Sequence, residues 1–212
     1  MSKIAVDIVL LPSDEMMDQA IRANAELVEK FGSDPSIRRD IAGFATKIVL
    51  NKENCLPHIS LAMGCVNERE VSQIKKILEV IAGENPIRNL TASGIRTSIN
   101  AKGETVSVFE IEKTQELQTL HENVMKKIMS YLSYKVTDDM IYDEDVSETT
   151  LLWIKNYPEK ASFINYFPHI TIGYGQIEIN PPFPMEFTTS RLALCHLGNH
   201  CTCRKILASI EL

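Results

Sequence analysis

The sequence predicts an α+β fold, and three observations carry that reading. Short β-branched and aliphatic runs bounded by Pro, Gly and Asn recur along the chain. Between them lie stretches whose apolar residues repeat at helical spacing. One extended motif occurs twice. The first strand is expected at Ile4 to Leu11, interrupted by Asp7 and closed by Pro12. Ser13 or Asp14 then caps a helix to about Phe31, with Met17, Ile21 and Leu27 or Val28 on one face and Gly32 as its stop. After a turn-rich stretch, Gly32 to Pro35, an apolar run at Ala45 to Leu50 and a segment at Leu56 to Gly64 read as further strands. Asn67 caps a second helix, with Val71, Ile74, Ile77 or Leu78 and Ile81 in line until Gly83.

Strands follow at Asn89 to Ile99 and Thr105 to Ile111, joined by a glycine-bearing turn at Asn100 to Glu104. A long amphipathic helix spans about Thr114 to Leu132. Lys135 to Tyr166 opens acidic and holds a short helix at Thr150 to Tyr157. Phe167 to Gly175, Glu186 to Leu197 and Cys203 to Leu212 complete the strands, the last two as a hairpin around Gly198 and Asn199.

With 212 residues the chain can bury a substantial core, and we read 1–212 as one domain with two lobes. A net charge of −6 argues against electrostatic capture of long duplex nucleic acid, which needs several cations on phosphates. A small or terminal phosphate ligand stays open. No stretch has the length of a membrane span or the cleavage site of a signal peptide, so a cytoplasmic monomer is expected, with no membrane partner. In that setting the odd set Cys55, Cys65, Cys195, Cys201 and Cys203 is expected to be reduced.

The duplicated motif carries the chemistry. Pro57-His58-Ile59-Ser60-Leu61-Ala62-Met63-Gly64 matches Pro168-His169-Ile170-Thr171-Ile172-Gly173-Tyr174-Gly175 at proline, histidine, isoleucine, hydroxyl, aliphatic and final glycine. In extended chain, alternate residues share a face. His58, Ser60, Ala62 and Gly64 therefore point one way in the first copy, and His169, Thr171, Gly173 and Gly175 in the second. The small residues leave room beside each imidazole. Placed side by side, the copies equip a cleft to hydrolyse a phosphodiester with no cofactor and no metal. One neutral imidazole takes a proton from the attacking oxygen and the other donates to the leaving oxygen. Ser60 and Thr171 bond the non-bridging phosphate oxygens.

In these His-x-Ser and His-x-Thr pairs the chain resembles the two-histidine (2H) phosphoesterase superfamily, which includes 2′,5′-RNA ligase-like proteins and cyclic nucleotide phosphodiesterases. The resemblance rests on His58-Ile59-Ser60 and His169-Ile170-Thr171, in aliphatic strands and with helices and strands in fitting order. It implies a bilobal fold with two pseudo-symmetric, mostly antiparallel sheets lining a central cleft and helices outside. It also implies hydrolysis of a 2′,3′-cyclic or related nucleotide phosphodiester. The alternatives are 2′,5′ ligation or cleavage on an RNA end, or a module that binds nucleotides or RNA ends without turnover.

Three other features compete for attention. Cys195, His196, His200, Cys201 and Cys203 offer soft ligands to zinc, but without a Cys-x-x-Cys pair, and they read equally well as a hairpin. The acidic residues from Asp138 to Glu148 lack the spacing of a calcium loop and read as a solvated flap beside the cleft. Of the aromatic residues near the second motif, Tyr174 is the candidate for contact with a base; strict alternation turns it toward the core, so contact requires a bend at Gly173 or Gly175. Arg38, Arg39 and Lys155 are unassigned cations.

Overall fold

The computed structural model describes residues 2–33, 48–99, 103–178 and 181–212. Arg38, Arg39 and the start of the run at 45–50 lie outside them. Seven strands lie among the described residues: β1 (Lys3–Pro12), β2 (Ile59–Asn67), β3 (Asn89–Ile99), β4 (Thr105–Ile111), β5 (His169–Tyr174), β6 (Met185–Leu197) and β7 (Cys203–Glu211). Four α-helices lie among the described residues: α1 (Asp14–Ser33), α2 (Val71–Glu84), α3 (Gln115–Ile128) and α4 (Glu148–Lys160).

All strand pairs are antiparallel, in the order β1-β2-β5-β4-β3-β6-β7, with β1 also paired to β6. The two expected sheets are thus joined into one. Strand β6 makes the join: Met185 to Thr188 pair with β3, whereas residues from Thr189 onward pair with β1. On the opposite side β2 and β5 meet through a single pair, Ile59 with Ile170. Strand β1 lies between β2 and β6 and is buried from Ile4 to Pro12. That position explains its apolar run, broken only by Asp7, because both of its faces are covered.

Most boundaries follow local chemistry. Thr114 Oγ1 accepts the Leu117 amide at 3.2 Å to start α3, and Ser147 Oγ accepts the Thr150 amide at 3.3 Å to start α4. Helix α3 stops at Ile128, short of the expected Leu132, because Ser133 exchanges two backbone hydrogen bonds with Cys65 of β2, each 2.8 Å. Strand β2 begins at Ile59 rather than Leu56: Pro57 has no amide to donate, and residues 48–50 carry no strand. One expectation is overturned. The β6–β7 hairpin brings Cys195 and Cys203 together as a disulfide with Cα atoms 5.6 Å apart, leaving Cys55, Cys65 and Cys201 as thiols.

Candidate active site

The Ile59–Ile170 pair lies where the two motif copies meet. Residues on either side of it, His58 just before β2 and Ser60 within it, and His169 and Thr171 from β5, line one cleft of about 330 Å³. A pseudo-twofold axis relates the halves, equating β1 with β4 and β2 with β5.

The correspondence extends to an irregularity. Val9 pairs with Ser60 and Ile8 with Ala62, which skips Leu61; Val108 pairs with Thr171 and Ser107 with Gly173, which skips Ile172. Each skip is a β-bulge, and it reverses the alternation beyond it. Met63 and Tyr174 therefore both line the cleft, contrary to strict alternation. The bend required for Tyr174 is present, at Gly173 with φ +156°.

Each bulge frees a carbonyl, and a buried side chain from the other half takes it. Asn24 of α1 donates Nδ2 to Ile172 O at 2.8 Å. His121 of α3 bonds Leu61 O through Nδ1 at 2.7 Å, while its Nε2 accepts the Phe163 amide at 2.7 Å, which fixes the proton on Nδ1. Asn24, together with Leu132 in the first half, fills the room beside the motif glycines. A Cβ at Gly173 would lie 2.9 Å from Asn24 Nδ2, and one at Gly64 would lie 3.0 Å from Leu132 Cδ2. Gly64 and Gly173 admit the protein's own side chains, not a ligand.

Both motif imidazoles are anchored alike. His58 Nδ1 donates to Leu56 O at 2.7 Å, and His169 Nδ1 donates to Phe167 O at 2.8 Å. A carbonyl only accepts, so each Nδ1 carries a proton and each Nε2 is left to exchange one. Burial lowers both pKa values, that of His58 to about 4, with the neighbouring His169 contributing to the His58 shift. Two neutral imidazoles thus share the cleft at neutral pH.

The halves differ beneath the histidines. Asp7 of β1 is fully buried, its Oδ2 accepting from Ser60 Oγ at 2.6 Å and lying 3.7 Å from His58 Nε2. Burial raises its carboxyl pKa well above the usual range, against the pull of the Ser60 bond. Its counterpart by register is Val106, opposite Tyr174 as Asp7 is opposite Met63. Sequence reasoning passed over Asp7, although a lone carboxylate inside an otherwise aliphatic strand is the signal that marks it. In the second half, Phe167 stacks on His169 at 5.3 Å between ring centres, and Arg96 lies over Phe167 at 4.7 Å while pairing with Glu110 at 2.7 Å.

Solved structures share this architecture. The chain aligns with TT0787 of Thermus thermophilus over 99% of its length and 98% of that chain, at a TM-score of 0.54 and 13% identity. It aligns with a protein described as a phosphoesterase over 100% and 99%, at 0.52 and 14%. It aligns with E. coli LigT complexed with 3′-AMP over 100% and 99%, at 0.50 and 13%. The chain has a LigT-like fold. No protein-family model and no curated protein matches its sequence, so at these identities the likeness is one of fold.

One wall of the cleft is rich in aromatic residues. Trp153, Tyr157, Tyr166, Phe167 and Tyr174 line it, joined by His200 and Cys201 from the turn between β6 and β7. Tyr174 Oη and His200 Nδ1 are hydrogen-bonded at 3.0 Å. Asn199 ties that turn to α4, its Oδ1 accepting from Thr150 Oγ1 at 2.7 Å and from the Ser147 amide at 3.1 Å. The acidic stretch is strapped to the same turn: Asp143 Oδ2 accepts from the Asn199 amide at 2.7 Å and from Arg204 at 3.1 Å. Lys155 is exposed on α4 and does not line the cleft. The five candidate zinc ligands do not converge. Cys195 and Cys203 bond each other, His196 contacts Met140 O, and the described residues hold no cluster of three metal-binding side chains. No described helix is long and apolar enough to cross a membrane.

Proposed function

We propose that this protein is a phosphoesterase that hydrolyses a nucleotide-type phosphodiester, 2′,3′-cyclic or closely related, by paired-histidine acid–base catalysis. One observation carries the reading: two imidazoles, each with Nδ1 held on the carbonyl two residues back, share one cleft across a pseudo-twofold axis. Nothing about a structural histidine requires that duplication. The volume, about 330 Å³, falls at the lower end of the roughly 300–1,000 Å³ typical of small-molecule sites, which suits a mononucleotide or a chain end.

In this reading one Nε2 takes a proton from the attacking water as the new P–O bond forms. The other donates a proton to the ester oxygen as the old bond breaks. The Thr171 hydroxyl faces the non-bridging oxygens, where charge accumulates, and Ser60 joins it when its proton turns from Asp7 to the phosphate. Tyr174 and Trp153 offer faces for a base, and stacking of this kind is worth about 1–3 kcal/mol. No step uses a metal. The likeness to LigT structures, one of them complexed with 3′-AMP, supports a nucleotide ligand.

The test is product formation from 2′,3′-cyclic nucleotides and 2′,5′-linked dinucleotides with a chelator present. Hydrolysis by wild type, lost in His58→Ala and His169→Ala, is expected. Joining of ends bearing a 2′,3′-cyclic phosphate and a 5′-hydroxyl would redirect the reading to ligation. Nucleotide binding without product would redirect it to a non-catalytic module.

A further inference from the structure

The two-histidine reading leaves a proton unaccounted for. Hydrolysis needs one imidazole protonated, yet burial leaves both neutral near pH 7, and their backbone anchors are the same. The asymmetry that resolves this is the Asp7/Val106 difference. We propose, on the basis of the phosphoesterase reading above, that Asp7 is a positioning residue that holds the catalytic proton for His58, making His58 the general acid and His169 the general base.

The geometry supports each part. Asp7 Oδ2 is 3.7 Å from His58 Nε2, an ion-pair distance, and no carboxylate occupies the matching place at Val106. Its Oδ1 has no hydrogen-bond partner among the described residues, nor do the hydroxyls of Tyr157 and Tyr166, which line the same cleft. Supported only by the Ser60 hydroxyl and the Ala62 amide, the buried carboxylate is costly when ionised without a cation beside it. It therefore keeps a proton in the free protein, where Asp7 and His58 act as a coupled pair holding one proton between them.

The groups that face Asp7 among the described residues are His58 and Ser60 around β2, Tyr157 from α4, Tyr166 before β5 and Cys201 from the β6–β7 turn. None is a cation that would hold the carboxylate ionised. The charged groups facing His169 through Phe167 are Arg96 and Glu110, which neutralise one another.

When an anionic phosphodiester enters, its charge favours imidazolium next to carboxylate, and the pair's proton passes from Asp7 to His58 Nε2 by exchange with solvent, since 3.7 Å is too long for direct transfer. His58 then gives that proton to the leaving oxygen as its bond to phosphorus breaks. His169 takes the proton that water loses as the new bond to phosphorus forms. Exchange with solvent returns a proton to the Asp7–His58 pair and removes one from His169.

Two measurements test this. In the first, the imidazole nitrogens of ¹⁵N-histidine-labelled wild type are observed at pH 7 with and without inorganic phosphate. We expect Nε2 of His58 to become protonated with phosphate and His169 to stay neutral. Protonation of His169 instead, or of neither, overturns the proposal, whether or not a substrate has been found. In the second, pH–rate profiles of wild type and Asp7→Asn are compared on a substrate that wild type turns over. The alkaline limb should move acidward by about one pH unit or more, with kcat down at least about tenfold and KM little changed. Adding Asp7→Asn to His58→Ala should cost little further, whereas adding it to His169→Ala should cost its full factor. An unmoved alkaline limb, or full additivity with His58→Ala, contradicts the assignment. Absence of wild-type turnover on every substrate counts against the phosphoesterase reading, and the phosphate measurement then decides the proton assignment alone.

Discussion

The half built on β1 and β2 and the half built on β4 and β5 agree wherever geometry demands agreement. Each has a His-x-Ser/Thr strand, an imidazole tied to its own backbone, a bulge one residue beyond the hydroxyl, and a buried brace from the opposite half. Among the positions where they part are Asp7 against Val106, Ala62 against Gly173, and Met63 against Tyr174. The shared positions build two equivalent imidazoles. The divergent positions give the imidazoles different surroundings, and a reaction that needs one acid and one base needs that difference.

The largest effect that would break the comparison is on turnover. His58→Ala and His169→Ala should each lower kcat by about 10²–10⁴-fold with the circular dichroism spectrum unchanged. If only one is needed, the pairing has no catalytic meaning. A smaller contrast separates the bulges. Gly173→Ala forces a Cβ onto Asn24 and should cost about 1–3 kcal/mol in urea unfolding, whereas Ala62→Gly should cost about 1 kcal/mol or less. Equal costs would show that Asn24 yields easily.

Acid should find the two neutral, buried histidines next. The pKa values of His58 and His121 are lowered to about 4 in the fold, so between pH 6.5 and 4 the unfolded chain binds protons that the folded chain does not. Their contribution to stability is fully present above pH 6.5 and lost as pH falls toward 4. For Asp7 the sign reverses. Its folded pKa is raised, so its ionisation opposes folding as pH rises, and Asp7→Asn should raise the melting temperature near pH 8 and leave it nearly unchanged near pH 3. A melting temperature lowered by that variant at pH 8 would mean that the carboxylate is ionised and well supported. The smallest effect expected is from Tyr174→Phe, which removes the hydroxyl bonded to His200 and should cost about 0.5–1.5 kcal/mol, with nucleotide affinity nearly kept if the ring face is what binds.

Most strand and helix positions were legible in the sequence because period and end signals agree there, as at Thr114. So were the four motif residues, since a duplicated pattern identifies itself. The orientation of Met63 and Tyr174 was not legible. A bulge depends on which neighbour a strand pairs with, and local alternation carries no trace of it. The meaning of the small motif residues was inverted for a related reason, because Asn24 and Leu132 reach them from distant parts of the chain. Asp7 was visible as an oddity in β1, but its partners, Ser60 and His58, come from more than fifty residues away.

The most direct test of the paired-histidine account is turnover of a 2′,3′-cyclic nucleotide panel, with chelator present, by wild type, His58→Ala and His169→Ala, each verified as folded. The account predicts product from wild type and a loss of about 10²–10⁴-fold in both variants. Turnover that survives either substitution, or that stops when the chelator is added to wild type, would contradict it.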